Sequence, residues 1–480
     1  MSDVLTKIVK QRKQSLQALQ QQYPEAQVLA AAQQSVLAPN RRQPRSLTAS
    51  IRAHAPGFIL ECKKASPSKG VIRQAFNPVA IAKTYAPYAA AISVLTEPDF
   101  FQGSFDYLQA VSEQVQLPVL CKDFIFSPYQ VALARYFGAD AILLMLSVVT
   151  DEEYRSLAEL AHSLQLEVLT EVCNGEEMAR AAKLGASLIG INNRDLKDLS
   201  IDLKRTQKLR AKAPQGAVVI SESGIDSNRQ IRELSAFADG FLVGSSLTSQ
   251  ADIDRACRTL IYGENKVCGL THPHQALVAA SSGALYGGFI FAQRSPRAIE
   301  LTQAALIVNE VPQLDYVGVF SADDYDDTDM VAAITRHQRE LHLAAVQLHD
   351  LEPNSERSTR ILGLLKNQLP AYCEIWFVLS VRAPLTALPE LKADRYVLDH
   401  STGGTGQTFN WNYLPETERH RIFLAGGLGI DNVEQAIELG CKGLDFNSKL
   451  EHSPGQKDSS KIRQLFRKIR HYRATSEPLS

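Results

Sequence analysis

Two opposite charges close a strand-like run near residue 60. The apolar Gly57-Phe58-Ile59-Leu60 leads into Glu61-Cys62-Lys63-Lys64-Ala65-Ser66-Pro67-Ser68-Lys69-Gly70. In an extended chain Glu61 and Lys63, two residues apart, project to the same side. Burying such a pair is costly and seldom serves packing alone. Polar residues follow other apolar runs in the same way: Lys122, Glu171, Asn192 and Glu222. Two lysines and three carboxylates around one mouth would shift one another's pKa values, which is how a lysine can give a proton near neutral pH. A structural ion-pair network is the other reading of these charges. No His/Asp/Glu set stands out as metal ligands, so acid–base chemistry without metal is expected. Phe101, Phe124, Leu143 and Leu196 suit the apolar part of a phosphorylated substrate.

The elements that must position these residues recur with a regular beat. Strand-like runs lie at 57–60, 91–95, 118–121, 141–146, 166–170, 188–191, 217–221 and 240–243, with helical periodicity between them, as at 129–137 and 175–184. Continuous apolar strands alternating with helices fit a (βα)8 barrel, whose strands are buried on both faces. A doubly wound open sheet also alternates, but no GxGxxG follows the first strand and no Walker A loop is present. Polar residues after many strands, not at one crevice, favour the closed barrel. Residues 1 to about 50 read as a helical arm, with Val4, Leu5, Ile8, Val9, Leu16 and Leu19 at roughly helical spacing. The beat restarts near residue 263 without a Pro/Ser-rich linker, with runs at 266–268, 287–292, 316–319, 344–348, 374–379, 396–398, 422–425 and 443–446. The expected fold is α/β, two fused (βα)8 TIM barrels, 1–262 and 263–480, the first with an N-terminal helical extension.

The halves echo each other near their ends. Ser221-Glu222-Ser223-Gly224-Ile225 and Gly240-Phe241-Leu242-Val243-Gly244-Ser245 stand where the second half has Ala425-Gly426-Gly427-Leu428-Gly429 and Leu444-Asp445-Phe446-Asn447-Ser448. Small residues after strands seven and eight let backbone N–H groups approach an anion, and a short helix N-terminus adds a favourable dipole. A phosphate site in each barrel is expected; glycines that only permit tight turns are the alternative.

Composition bounds the function class. With 480 residues, 45% hydrophobic and 21% charged, the chain is long enough for two or three globular domains. Its 51 basic and 52 acidic residues leave a net charge of −1, which recommends neither nucleic acid nor an anionic membrane as partner. The seven cysteines are scattered singly, as suits reduced thiols in the cytoplasm. No apolar run approaches the ~18–20 residues of a membrane span, and no h-region follows the N-terminal lysines. A cytoplasmic monomer acting on small phosphorylated molecules is expected.

The motifs ECKKASPSKG, LCKDFI, LTEV, GINNRDL, SESGI and GFLVGSSL, in this order across 1–262, resemble indole-3-glycerol-phosphate synthases. That family converts 1-(2-carboxyphenylamino)-1-deoxyribulose 5-phosphate to indole-3-glycerol phosphate, losing CO2 and water. The resemblance implies that Lys122 protonates the ketose carbonyl as the aromatic carbon attacks it. Glu171 and Lys63 would share the acid and base steps, with Glu61 and Glu222 tuning and positioning them. Asn192 and Arg194 would meet the substrate's hydroxyl and carboxylate groups, and Ser66, Ser223, Gly224, Gly244 and Ser245 its phosphate.

In the second half Cys268 ends the first strand and Asp399 the sixth. A thiolate and a carboxylic acid across a sugar-sized ligand could move a proton between adjacent carbons; taken alone, Cys268 also reads as a small buried strand residue. KVCGLT, GFIF with Ser295-Pro296-Arg297, VQLH, Leu398-Asp399 leading to Gly403-Gly404-Thr405-Gly406, and LAGGL resemble phosphoribosylanthranilate isomerases over about 263–455. That family opens the ribose of N-(5-phosphoribosyl)anthranilate in an Amadori rearrangement. The resemblance implies Asp399 as the acid on the ring oxygen, Cys268 as the base at sugar C2, and Arg297 on the anthranilate carboxylate. Gly427, Asn447 and Ser448 would take the phosphate. His349 either lines the site or is a hydrogen-bonded core histidine, and Asp350 stands where relatives often have glycine. His272 and His274 have HxH spacing without further ligands and read as surface loop. Neither barrel would need a cofactor, and the isomerase product is the synthase substrate. Two rivals stand beside this reading: a monofunctional synthase whose second barrel is a non-catalytic scaffold, and a histidine-pathway isomerase, which would pair two aspartates.

Overall fold

Eight strands in each half run parallel and close on themselves, in a computed structural model that describes residues 4–37, 44–195, 198–400 and 406–472. Leu196, and Gly403, Gly404 and Thr405 of the glycine-rich segment, lie outside the described residues. Two compact units, Met1–Cys257 and Arg258–Ser480, each hold one barrel.

The first barrel comprises β1 (Gly57–Cys62), β2 (Ala91–Leu95), β3 (Val119–Lys122), β4 (Ala141–Met145), β5 (Glu167–Val172), β6 (Leu188–Asn192), β7 (Val218–Glu222) and β8 (Gly240–Val243). Strands pair in sequence order and β8 closes on β1. The expected runs match these strands within two residues, and the mismatch has a direction. Several strands continue past the last apolar residue, so Glu61, Lys122, Glu171, Asn192 and Glu222 are strand residues held by the ladder. Lys122 pairs in register with Leu95, Glu171 with Met145, and Glu222 with Asn192. Below them Ile59, Leu120, Leu143, Leu169, Ile220 and Leu242 fill the interior.

Three helices precede β1. In α1 (Val4–Gln22) Ile8, Arg12 and Leu16 recur every fourth residue and are buried, the stripe an amphipathic helix turns inward. The second, α2, is Glu25–Leu37. The third, α3 (Leu47–Ala53), starts at Ser46, whose side chain accepts from the Ala49 N–H and so satisfies one otherwise unpaired donor. Leu47 and Ile51 join Ala91, Leu188 and Val218 in the core at the strand beginnings.

The second barrel comprises β9 (Lys266–Val267), β10 (Tyr286–Ile290), β11 (Asp315–Ser321), β12 (Ala345–His349), β13 (Glu374–Ser380), β14 (Arg395–Asp399), β15 (Ile422–Leu424) and β16 (Gly443–Phe446). Its interior is more aromatic: Trp376 stacks on Phe423 at 4.3 Å between ring centroids and meets Tyr286 edge-on at 5.1 Å. After β16 a short antiparallel hairpin, Glu451–Ser453 with Gln456–Lys457, leads to a closing helix, Ser459–Arg470, which buries Ile462, Leu465, Phe466 and Ile469. Among the described residues no helix is long and apolar enough to cross a membrane.

Candidate active sites of the two barrels

At the C-terminal ends of β1 to β8 a cavity of about 250 Å³ opens. Glu61, Lys63, Lys122, Glu171 and Asn192 line it, and so do Ser66, Arg194, Ser223, Gly224, Gly244 and Ser245. Phe101, Phe124 and Leu143 supply its apolar wall. Phe101 and Phe124 stand 6.0 Å apart between ring centroids, and Lys63 lies over the Phe101 ring. The loop carrying Phe101 is held from within: buried Glu97 accepts the backbone N–H groups of Asp99, Phe100 and Phe101. The segment after β1 is a small hairpin, Ala65–Ser66 against Gly70–Val71.

The charges form a chain. Lys63 Nζ is 2.5 Å from Glu61 Oε1, Lys122 Nζ is 3.8 Å from Glu61 Oε2, and Lys122 Nζ donates to Glu222 Oε2 at 2.7 Å. Glu222 is fully buried and does not line the cavity; its bond to Lys122 joins it to the cavity wall. Asn192 donates to Glu171 Oε1 at 3.0 Å while its own Oδ1 accepts the Arg194 N–H. Burial pushes the Glu171 carboxyl up to about 7, and Glu222 adds to the shift against the pull of Lys122. Burial works against the Lys122 ammonium, but Glu222, Glu61 and Glu171 outweigh it and hold its pKa above the usual lysine value. Clustering therefore does not bring this lysine toward neutrality, as the sequence suggested; it keeps it charged, and Glu171 is the group that titrates there. Burial opposes Glu61 ionisation too, yet Lys63 and Lys122 hold its pKa low.

In the second unit a cavity of about 460 Å³ is lined by Cys268, Arg297, His349, Asp399, Gly427, Asn447 and Ser448, which brings together every described residue expected there. Cys268 is 4% exposed. Burial pushes the Asp399 carboxyl up, partly offset by the His400 N–H that it accepts at 2.7 Å, so Asp399 retains its proton to higher pH than a solvated aspartate. His349 is driven down to about 4 by burial and is a neutral imidazole, 3.1 Å from the Gln347 amide. Arg297 differs from the expectation in one respect: its Nε and Nη2 already donate to Glu451 at 2.9–3.0 Å. An incoming carboxylate is left the Nη1 end of the guanidinium. Asp350 adopts the left-handed conformation (φ 61°) that a glycine would take, and its charge is met by Ser321 and Arg294. His272 stands at the N-cap position of a helix without a side-chain capping bond, and His274 meets Ser459; among the described residues no group of three or more His, Cys, Asp or Glu is placed to hold a metal ion.

Several site residues were not anticipated. Val4, Leu5 and Ile8 of α1 line the first cavity, so the arm is part of the site. Arg12 is buried against Asp123, the residue after Lys122, through Nε at 2.9 Å and Nη2 at 2.5 Å. In the second barrel Lys266 reaches Cys268 and is itself held by Gln347 and Asp445. The signal for Lys266 was legible: it stands two residues before Cys268, the spacing that singled out Glu61 and Lys63.

The geometry agrees with comparisons to known proteins. The family model of indole-3-glycerol phosphate synthase matches residues 5–260, and that of N-(5'-phosphoribosyl)anthranilate isomerase matches residues 265–468. The tryptophan biosynthesis protein TrpCF of Salmonella typhi is 48% identical over 472 residues, 98% of this chain and 100% of its own length. Its namesake from Yersinia pestis is 52% identical over 415 residues, 86% of this chain and 85% of that one. A solved phosphoribosyl anthranilate isomerase from Thermus thermophilus is 27% identical, covering 44% of this chain and 100% of its own, with a TM-score of 0.38. The two family models and the TrpCF relatives run through both halves and do not favour a non-catalytic second barrel. The chain belongs to the family of bifunctional tryptophan-biosynthesis enzymes that join an indole-3-glycerol phosphate synthase to an N-(5'-phosphoribosyl)anthranilate isomerase.

Proposed function

We propose that each activity is carried by the mouth of its own barrel, with the residues in the following roles. In the second barrel Asp399 gives its proton to the ribose ring oxygen; the C1–O bond breaks and the anilino nitrogen lone pair forms the iminium. Cys268 thiolate takes the C2 proton, and the C–H electron pair becomes the C1=C2 bond while the iminium pair returns to nitrogen. The enol formed becomes the ketone. Arg297 meets the anthranilate carboxylate, a planar anion suited to guanidinium, and Gly427, Asn447 and Ser448 take the phosphate.

In the first barrel that product lays its aryl ring against Phe101, Phe124 and Leu143. Lys122 protonates the ketose oxygen as the ring carbon attacks, an ammonium placed where negative charge develops. Loss of CO2 restores the aromatic ring, and Glu171 and Lys63 share the proton transfers of dehydration. Glu61 and Glu222 position the two lysines; Asn192 and Arg194 face the hydroxyl and carboxylate groups. Ser66, Ser223, Gly224, Gly244 and Ser245 take the phosphate. The observation that carries this reading is Glu171, raised to about 7 beside a lysine held charged, in a single cavity with an apolar wall: a lysine that stays a proton donor beside a carboxyl that can exchange its proton near neutral pH.

Each half-reaction, assayed separately, tests the assignment. Lys122→Met and Glu171→Gln lower synthase turnover by about 10²–10⁴-fold, the usual contribution of a positioned acid or base, and leave isomerase turnover unchanged. Cys268→Ser and Asp399→Asn do the reverse. Turnover retained in the affected half would remove that residue from its role. The proposal extends to the cytoplasm, whose reducing conditions suit seven cysteines without a disulfide, and to a monomer; cell fractionation and sedimentation equilibrium check the two.

A further inference from the structure

Cys268 shares its end of the second barrel with a buried ammonium that none of the roles above employs. Lys266 is fully buried, and its Nζ lies 3.3 Å from Cys268 Sγ, 2.7 Å from Gln347 Oε1 and 2.8 Å from Asp445 Oδ2. The fold fixes this arrangement at three points. Lys266 and Cys268 are two residues apart on an extended segment, so their side chains leave on the same side. Lys266 pairs in register with Asp445 across β9 and β16, which places the carboxylate beside it. Gly288 on β10 supplies the room: a Cβ there would stand 2.7 Å from Cys268 Sγ and 2.8 Å from Lys266 Cε.

We propose that Lys266 is the fixed counter-ion of the Cys268 thiolate, a positioning residue that keeps the isomerase base in its proton-accepting form. The inference rests on Cys268 being that base. A thiol must lose its proton before it can take one from sugar C2, and in a buried mouth the anion needs a cation within a few ångström. Lys266 provides it without leaving the ladder, and Gln347 takes a second of its three donors. Asp445 competes for the same ammonium, so the thiolate is held ready without being locked into a closed ion pair. Other charged or titratable groups near the pair are Lys457, on the hairpin after β16, Asp399 at the end of β14, and His349 at the end of β12. His349 is neutral, and Lys457 is engaged by Glu451 and Asn447, which leaves Lys266 as the cation in direct contact with sulfur. Burial raises the Cys268 pKa and Lys266 is the largest opposing influence, the direction this role requires.

The experiment follows the full-length chain by two readouts. One is the rate of Cys268 carbamidomethylation by iodoacetamide against pH, read on its own peptide by mass spectrometry; the other is the pH profile of isomerase kcat/KM. Lys266→Met is expected to slow Cys268 alkylation at pH 7.5 by about tenfold or more, tenfold being one pKa unit, and to move the acid limb of kcat/KM upward by at least one pH unit. Asp445→Asn frees the ammonium for sulfur and is expected to speed alkylation. Lys266→Met with wild-type alkylation and an unmoved limb overturns the proposal. If Lys266→Met does not fold, Asp445→Asn decides, and unchanged or slower alkylation overturns it. Failure of the underlying reading looks different: Cys268→Ser would then retain isomerase turnover whatever Lys266 does.

Discussion

Glu171 is the residue whose environment makes the sharpest claim about pH. Burial, with Glu222 close by, lifts its carboxyl to about 7. If proton removal by its carboxylate limits the synthase, kcat/KM falls about tenfold per unit as the pH drops below about 7, because protonation empties the base. Glu171→Gln should remove that limb as well as most of the rate, and a pH profile of the residual activity checks it. A second claim concerns space. Gly190 lies where a Cβ would overlap the Glu222 carboxylate, so Gly190→Ala should push Glu222 off Lys122 and lower synthase kcat by about tenfold or more, roughly the loss of one charged hydrogen bond. Isomerase turnover serves as its control. The charges lining the first cavity were legible because carboxylates and lysines stand out against apolar strands. Gly190 was not, since its reason for being glycine is a side chain on the neighbouring strand. Lys266 could be read in principle, yet within an apolar run it passed as part of a strand, and nothing local announces that Gln347 and Asp445 converge on it.

At the scale of elements the beat of sixteen strands was readable because both faces of each are buried, which leaves short apolar runs bounded by polar residues. Strand ends were less so. The ladder carries pairing through Glu61, Lys122, Glu171 and Glu222, whose polarity mimics the start of a loop. The arm gave its helical period but not its task, because Arg12 counts as a surface residue until Asp123 is seen against it. Both side chains of that pair are at most 1% exposed, and removing one partner leaves a buried charge uncompensated. Arg12→Met is expected to cost about 3–5 kcal/mol, measured by urea denaturation of the first unit's transition, and to raise the synthase KM, since Val4, Leu5 and Ile8 on the same helix line the cavity. Arg12→Met combined with Asp123→Leu should recover part of that stability, because the orphaned charge is gone.

At the scale of the whole molecule, two closed barrels, each with its own cavity, and the acid and base proposed for each lead to the expectation of two separable catalysts whose shared intermediate passes through solution. The isomerase product, a ketose phosphate bearing a carboxylated aryl amine, has the groups that the first mouth is furnished to meet: an apolar wall, charged side chains and small residues after β7 and β8. Among the described residues each cavity is lined by residues of its own unit, so damage should stay local, as it does for sites that share no partners. A protein carrying Cys268→Ser and another carrying Lys122→Met should each fail to convert phosphoribosylanthranilate to indole-3-glycerol phosphate. Mixed in equal amounts, they should restore it, with a lag while the intermediate accumulates in solution. The lag should shorten as the synthase-competent protein is raised, because the steady level of intermediate is set by the enzyme that consumes it. Product followed by indole absorbance checks this. A mixture as inactive as either variant alone would mean that the intermediate does not cross between chains, and the two catalysts would then have to be regarded as one.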